Sequence, residues 1–243
     1  MMRQLKISFG FAAFGMIFGC SVLSDQQIDR EFDDEGTRKF LKCSLEDNLD
    51  CLKKARGLFK NNAGKNGQSP LEWYLKHPSK RQLDIVEEFL KAGADPHQMN
   101  IGTTNSPYFT AIERHDREML ELFHLYGASP NHRYKSGLWT YPIFMATTSR
   151  DVGIVKDLVD AGADIESKNY SEQTPLLSAN VNQYDIALEL INRGADINVV
   201  DKNGNDVCKI FDASIDRNSE NYQFRLKVIG RLRTLGKDCL SKQ

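Results

Sequence analysis

The sequence predicts an all-α protein built from stacked helical repeats. Gly-Ala dipeptides followed by Asp or Ser close four apolar stretches, beginning at Gly93, Gly127, Gly162 and Gly194, with spacings of 34, 35 and 32 residues. A period near 33 residues is typical of solenoids made of paired helices. Apolar residues recur at helical spacing inside each repeat, which indicates helices with one buried face.

The clearest repeat spans residues 168–200. Thr174 and Pro175 suit the N-cap and the first position of a helix, because proline lacks an N–H that would be unpaired there. A second helix is expected over Tyr184–Asn192, where Ile186, Ala187, Leu190 and Ile191 form an apolar stripe. Gly194 is expected to end this helix in the left-handed conformation.

The run from Thr174 to Ala179, followed by Gly194-Ala195-Asp196, resembles the ankyrin repeat. The resemblance implies an ankyrin-repeat solenoid of helix-turn-helix units with β-turn fingers. The chain is expected to begin with a signal peptide at 1–19, a polar tether at 20–36 and an N-terminal helical cap at 37–65. Ankyrin repeats are expected at 66–98, 99–131, 132–167 and 168–200. A degenerate C-terminal capping repeat is expected at 201–243.

Two further expectations concern the core. The core candidates of the N-terminal cap are Phe40, Leu41, Leu49, Leu52 and Leu58. Ankyrin repeats usually carry a histidine in the run that opens the first helix, but here Phe109, Phe144 and Leu177 occupy that position in three repeats. Burial of these apolar side chains is therefore expected to hold adjacent repeats together.

The N-terminus has the pattern of an export signal. Arg3 and Lys6 precede an uncharged run of thirteen residues, Ile7–Gly19, which is shorter than the roughly 20 residues a membrane-spanning helix requires. The run ends in Phe18-Gly19-Cys20, which resembles the lipobox of bacterial lipoproteins, although Phe18 departs from the usual residue type. The resemblance implies lipidation of Cys20; an ordinary cleaved signal with an incidental cysteine is the alternative.

Cysteine parity agrees with this reading. Of the five cysteines, four remain if Cys20 carries lipid. The natural pairing by sequence joins Cys43 to Cys51 and Cys208 to Cys239, with one bridge at each end of the stack. The alternative is four buried thiols.

The charge of the chain and its expected cellular location exclude some kinds of partner. Residues 20–243 hold 30 basic and 33 acidic residues, and the chain has no Lys/Arg cluster of the kind that nucleic acid requires. A lipid on Cys20 would place the protein in the periplasm with the anchor as its membrane contact. Ser21, where inner-membrane lipoproteins often carry aspartate, favours the outer membrane by resemblance.

No catalytic, metal or cofactor motif appears. The five histidines lack metal-ligand spacing, and each is expected on a loop or a helix surface. No Gly-x-Ser-x-Gly elbow is present, and stacked helical repeats offer no deep apolar pocket. The prediction is a non-enzymatic protein without a cofactor, monomeric when unbound.

By resemblance, ankyrin proteins bind through their fingers and the first helices. The fingers before Pro142 and Pro175 are rich in aromatic and charged residues, the types that most often anchor interfaces. For each aromatic residue the alternative is local packing. The predicted partner-binding residues are Arg133, Tyr134, Lys135, Trp139, Tyr141, Asn169, Tyr170 and Glu172.

The expected cellular location and the expected fold together suggest a function. Some ankyrin lipoproteins of Gram-negative bacteria are similar to immunity proteins, which neutralise lipase-type or other toxins delivered by type VI secretion. The sequence is therefore interpreted as an immunity protein with a secreted toxin as its partner. The alternatives are a periplasmic scaffold or stress-protection protein and an effector directed at a eukaryotic host.

Overall fold

A computed structural model describes residues 25–77, 79–135, 140–179, 183–211 and 220–239. Within these ranges the chain forms helices and turns and contains no β-strand, in agreement with the predicted all-α class. It divides into two compact units, which are described separately. Unit 1 comprises Met1–Asp95 and Asn100–Gly102, and unit 2 comprises Pro96–Met99 and Thr103–Gln243.

Unit 1 contains five helices and one short 3-10 turn. These are α1 (residues 25–31), α2 (Glu35–Leu45), α3 (Leu49–Ala55), the 3-10 turn Arg56–Leu58, α4 (Pro70–Leu75) and α5 (Gln82–Lys91). Helix α2 packs on α3 and α4, and both of these pack on α5. The core holds Phe40, Phe59 and Phe89, whose ring centroids lie 4.9 to 5.7 Å apart.

Two expectations for unit 1 are wrong. The polar tether expected over 20–36 is helical at 25–31, and Ile28 and Phe32 are 0% and 2% exposed. These two residues stand four positions apart and share a buried face, which the surrounding acidic residues concealed in the sequence. Leu58, expected in the core, is exposed on the 3-10 turn, and Leu49 is only half-buried.

A disulfide joins the first two long helices of unit 1. Cys43 of α2 and Cys51 of α3 are bonded, with a Cα–Cα distance of 5.6 Å. This is the pair that the sequence order favours. The bond spans the turn between α2 and α3, so it restrains these two helices at the start of the core.

The described residues of unit 2 form eight helices, taken two by two in sequence order. They are α6 (Pro107–Glu113) with α7 (Arg117–Leu125), α8 (Pro142–Thr148) with α9 (Val152–Asp160), α10 (Pro175–Ser178) with α11 (Tyr184–Asn192), and α12 (Val207–Ile210) with α13 (Glu220–Thr234). First helices stack in the order α6, α8, α10 and α12, and α11 packs between α9 and α13. The side chains of Phe109, Phe144 and Leu177 are at most 2% exposed, so their expected burial is confirmed.

The ends of these helices follow the predicted chemistry, with one exception. Gly127, Gly162 and Gly194 have φ angles of 85°, 92° and 91°, a left-handed conformation that other residues adopt at a cost. Pro175 begins α10 and Thr174 is its N-cap, but the Thr174 side chain accepts no capping hydrogen bond. Thr174 is 1% exposed and its hydroxyl has no hydrogen-bond partner among the described residues, so the predicted cap is wrong in that respect.

The last two helices are held by a second disulfide. Cys208 of α12 is bonded to Cys239, which follows α13, with a Cα–Cα distance of 5.0 Å. Val228 and Leu232 of α13 are buried, and α13 packs on α11. Residues 212–219, which lie between α12 and α13 in the sequence, are outside the described residues.

Candidate partner-binding surface

Three loops of unit 2 precede α8, α10 and α12, and side-chain hydrogen bonds shape two of them. The Asn169 side chain accepts from the backbone N–H groups of Ser171 and Gln173, at 2.8 and 3.1 Å. In the next loop, the Asp201 carboxylate accepts from the N–H groups of Asn203 and Asn205, both at 2.9 Å. Such bonds stabilise tight turns, so both loops have a defined shape.

The three loops are adjacent and in register. The Tyr170 hydroxyl donates to the carbonyl of Lys135 at 3.4 Å, which joins the first loop to the second. The backbone N–H of Lys202 donates to the carbonyl of Ser171 at 3.2 Å, which joins the second to the third. Lys135, Tyr170 and Lys202 therefore form a row across three loops.

We call the exposed charged and large apolar residues at 133–135, 168–172 and 200–204 the finger edge. The same loops also expose the carboxylates of Asp164, Glu166 and Asp196, which lie outside these three ranges. Tyr170 and Val200 are 58% and 53% exposed, high values for large apolar side chains. None of its four cations forms a salt bridge with a described residue, and one carboxylate accompanies them. The finger edge consists of Arg133, Lys135, Lys168, Tyr170, Glu172, Val200 and Lys202.

Four of the predicted partner-binding residues lie on this edge: Arg133, Lys135, Tyr170 and Glu172 are exposed. Tyr141 and Asn169 are half-buried, and Asn169 is engaged in its own turn. Trp139 lies outside the described residues, as do Cys20 and the expected signal peptide.

Tyr134 is the exception, because the expectation that it faces a partner is wrong. Its side chain is 1% exposed, and its ring lies 4.2 Å from that of Phe109. The Tyr134 hydroxyl is hydrogen-bonded to Nδ1 of His97 at 2.7 Å. A large aromatic ring whose hydroxyl finds a partner inside the protein gains more from burial than from exposure.

His97 also departs from expectation, since it lies on a loop but is 7% exposed. Its ring stacks on that of His132 with a centroid distance of 4.3 Å, and it lies 4.5 Å from the ring of Tyr108. Burial, followed by the nearby His132 and His124, lowers the pKa of His97 to about 3. His97 is therefore neutral at neutral pH.

His124 extends the same cluster. Its Nε2 is hydrogen-bonded to the Tyr108 hydroxyl at 2.6 Å. Burial lowers the pKa of His124, and burial likewise raises the pKa of Tyr108. His97, Tyr108, His124, His132 and Tyr134 thus form one cluster of ring contacts and hydrogen bonds in unit 2.

The second helices carry a contrasting set of charges. Arg117 of α7 pairs with Asp157 of α9, and Arg193, which follows α11, pairs with Asp160 of α9. Lys156 of α9 lies 3.7 Å from Glu189 of α11. These three cations are thus paired with carboxylates of neighbouring repeats, whereas the four cations of the finger edge form no salt bridge with a described residue.

The described residues offer little for other chemistry. Within them, His, Cys, Asp and Glu side chains are nowhere grouped in threes that could hold a metal ion. None of the helices in the described ranges combines the length and apolar character needed to cross a membrane. The finger edge is consequently the most distinctive candidate site in unit 2.

Comparison with known proteins defines the class. Residues 108–201 match the family model described as ankyrin repeats (3 copies). The crystal structure of EF0377, an ankyrin repeat protein, is similar with a TM-score of 0.60 at 20% identity, over 79% of this chain and 96% of that one. The chain therefore contains ankyrin repeats, which are protein-interaction modules and are generally not enzymes.

Curated relatives share only part of their length with this chain. The B-cell lymphoma 3 protein homolog of Mus musculus is 33% identical over 96 residues, which is 40% of this chain and 21% of that protein. Alpha-latrocrustotoxin-Lt1a of Latrodectus tredecimguttatus is 29% identical over 119 residues, 48% of this chain and 8% of the toxin. The chain thus spans a fifth of one relative and less than a tenth of the other.

Sequence reasoning missed part of the finger edge. Lys168, Val200 and Lys202 are not among the residues predicted to bind a partner, because that prediction covers only the fingers before Pro142 and Pro175 and, in the second finger, only Asn169, Tyr170 and Glu172. The repeat period carries the missing signal: Lys168 follows Lys135 by 33 residues, and Lys202 follows Tyr170 by 32.

Proposed function

We propose that this chain is a non-enzymatic, lipid-anchored periplasmic protein that binds and neutralises a toxin, with a lipase-type toxin of type VI secretion as the favoured partner. The observation that supports a binding role is the finger edge, where exposed Tyr170 and Val200 lie among cations that form no salt bridge with a described residue. The address rests on the N-terminal pattern up to Cys20, and the immunity role rests on the combination of that address with ankyrin repeats.

The fold suits inhibition by occlusion. A shaped, preorganised surface loses little conformational entropy on binding, and an interface of standard size buries roughly 1,600 Å² in total. An anchor at Cys20 would hold the protein on the membrane that a lipase attacks. Neutralisation then requires only that the bound chain block the toxin's access to lipid.

The test is a titration of the full chain, purified in detergent, with the toxin encoded by an adjacent gene. We expect a Kd on the order of nanomolar. Tyr170→Ala is expected to weaken binding at least about tenfold and to abolish protection in an attacked cell. Lys156→Ala, on the second-helix face, is the matched control and should leave both unchanged.

Labelled palmitate tests the address independently. Incorporation into the full chain, abolished by Cys20→Ser, is expected. A neighbourhood without any secreted toxin would contradict the immunity role. Peroxide or envelope sensitivity of a deletion strain that meets no attacker would favour a stress-protection scaffold instead.

A further inference from the structure

We propose that the finger edge recognises an acidic segment of its protein partner, with an apolar partner side chain against Tyr170 and partner carboxylates at Lys135 and Lys202. This inference rests on the proposed binding function and adds the chemistry of the bound segment. It starts from the row that the hydrogen bonds of Tyr170 and Lys202 establish across three loops.

The finger edge carries a local excess of positive charge. Among the described residues of the edge, Arg133, Lys135, Lys168 and Lys202 are exposed cations, and Glu172 is the exposed carboxylate. The chain as a whole has a formal charge of -1, so this positive region is a local departure from the average. A local excess of one sign attracts partners of the opposite sign and accelerates their association.

Three cations on the face of the second helices form salt bridges, in contrast to those of the finger edge. Arg117, Lys156 and Arg193 are paired with carboxylates of neighbouring repeats and so stabilise the stack. The finger-edge cations form no salt bridge with any described residue. Their charge remains available to groups outside the chain.

The arrangement of the finger-edge cations favours protein carboxylates over phosphate as the ligand. Phosphate backbones are bound by stripes of cations, and their contacts repeat along the strand. Here the cations are interrupted by the exposed side chains of Tyr170 and Val200. A peptide that places an apolar side chain between acidic residues matches this alternation, and tyrosine is a frequent anchor of protein interfaces.

The experiment uses the full chain and a short fluorescein-labelled peptide in which glutamates flank a central tryptophan. We expect measurable binding by fluorescence anisotropy, weakening with added salt. The double variant Lys135→Glu/Lys202→Glu and the single variant Tyr170→Ala should each raise Kd at least about tenfold. Lys156→Glu is the control with the same charge change per site, and it should leave Kd unaltered.

Three outcomes would overturn the inference. Equal Kd values for the finger-edge variants and the unaltered chain would show that the peptide binds at another surface. Equal or tighter binding of the peptide with lysine in place of glutamate would exclude charge recognition. Stronger competition by a single-stranded oligonucleotide than by unlabelled peptide would assign the edge to phosphate.

The toxin titration separates this inference from the function on which it rests. A toxin that binds the Lys135→Glu/Lys202→Glu variant as tightly as the unaltered chain contradicts the inference and leaves the proposed function standing. A toxin that does not bind, combined with a peptide that binds in a finger-dependent manner, contradicts the choice of partner and upholds the chemistry of the surface.

Discussion

Buried His97 makes the stability of unit 2 sensitive to acid. Burial and two neighbouring histidines lower the pKa of His97 from 6.5 to about 3. The unfolded chain therefore binds this proton more readily than the folded chain, and the free energy of unfolding falls as pH drops below 6.5 and continues to fall towards 3.

The corresponding measurement is urea denaturation at pH 7.5 and 5.0. We expect a loss of about 2 kcal/mol between the two, because each pH unit below the unfolded pKa contributes about 1.4 kcal/mol. His97→Phe should remove most of this difference. An equal pH dependence in the unaltered chain and in His97→Phe would contradict the assignment.

Gly36 shows how closely the backbone approaches itself in unit 1. A Cβ atom at this position would lie 2.0 Å from the carbonyl oxygen of Leu58, which is backbone and cannot rotate away. Gly36→Ala is therefore expected to lower the free energy of unfolding by about 1–3 kcal/mol. Gly57→Ala is the matched control, since a Cβ there meets nothing within 4 Å.

Fluorescence can report the Gly36 effect on unit 1 alone. Trp73 lies in α4 of unit 1 and is 5% exposed. With Trp139 replaced by Phe, urea denaturation followed by Trp73 emission measures unit 1. The same midpoint for Gly36→Ala and Gly57→Ala would show that the 3-10 turn shifts without cost.

At the scale of elements, an ion pair that is buried on the carboxylate side connects the 3-10 turn to α5. Arg56 pairs with Glu88, whose side chain is 4% exposed, and Lys91 lies 3.4 Å from the same carboxylate. Arg56→Met leaves Glu88 with one partner in a poorly hydrated place and is expected to cost about 1–3 kcal/mol. Removal of both groups in Arg56→Met/Glu88→Met should recover part of that loss.

Chemical denaturation of both variants tests this prediction. Lys65→Met provides the control, because Lys65 and Asp33 form a pair that is more than half exposed on both sides. Exposed pairs contribute little, so a change below about 0.5 kcal/mol is expected there. A double variant that is less stable than Arg56→Met would indicate that packing rather than charge dominates.

Helices were predictable where local signals agreed. The second helix of the clearest repeat occupies Tyr184–Asn192 as expected, because its apolar stripe and the terminal Gly194 specify it without reference to other repeats. The segment 25–31 was not predicted as helix, since Ile28 within it and Phe32 directly after it are buried only when the chain folds. The ring of Phe32 lies 6.2 Å from that of Trp73, a contact between distant parts of the sequence.

At the scale of the whole molecule, the end of unit 2 depends on a covalent link. Cys208 and Cys239 are separated by 31 residues, so their bond restricts a long loop of the unfolded chain. Cys208→Ser/Cys239→Ser is expected to lower the free energy of unfolding by about 2–4 kcal/mol and to increase hydrogen exchange in α13.

Reducing agent is the internal control for that prediction. It should destabilise unit 2 of the unaltered chain and leave the exchange of α13 in the double serine variant unchanged. Full protection of α13 in the double variant would show that packing of Val228 and Leu232 suffices to hold it.

By itself the sequence determined the helical repeats, their period, the left-handed glycines that end them and the order of the cysteines, because each depends on residues close together in the chain. Only the tertiary structure decided that Tyr134 and His97 are buried, that residues 25–31 join the core and that Lys135, Tyr170 and Lys202 form one row. These are contacts between residues distant in sequence. Stacking of successive repeats creates them, and a local pattern does not encode which face a neighbour covers.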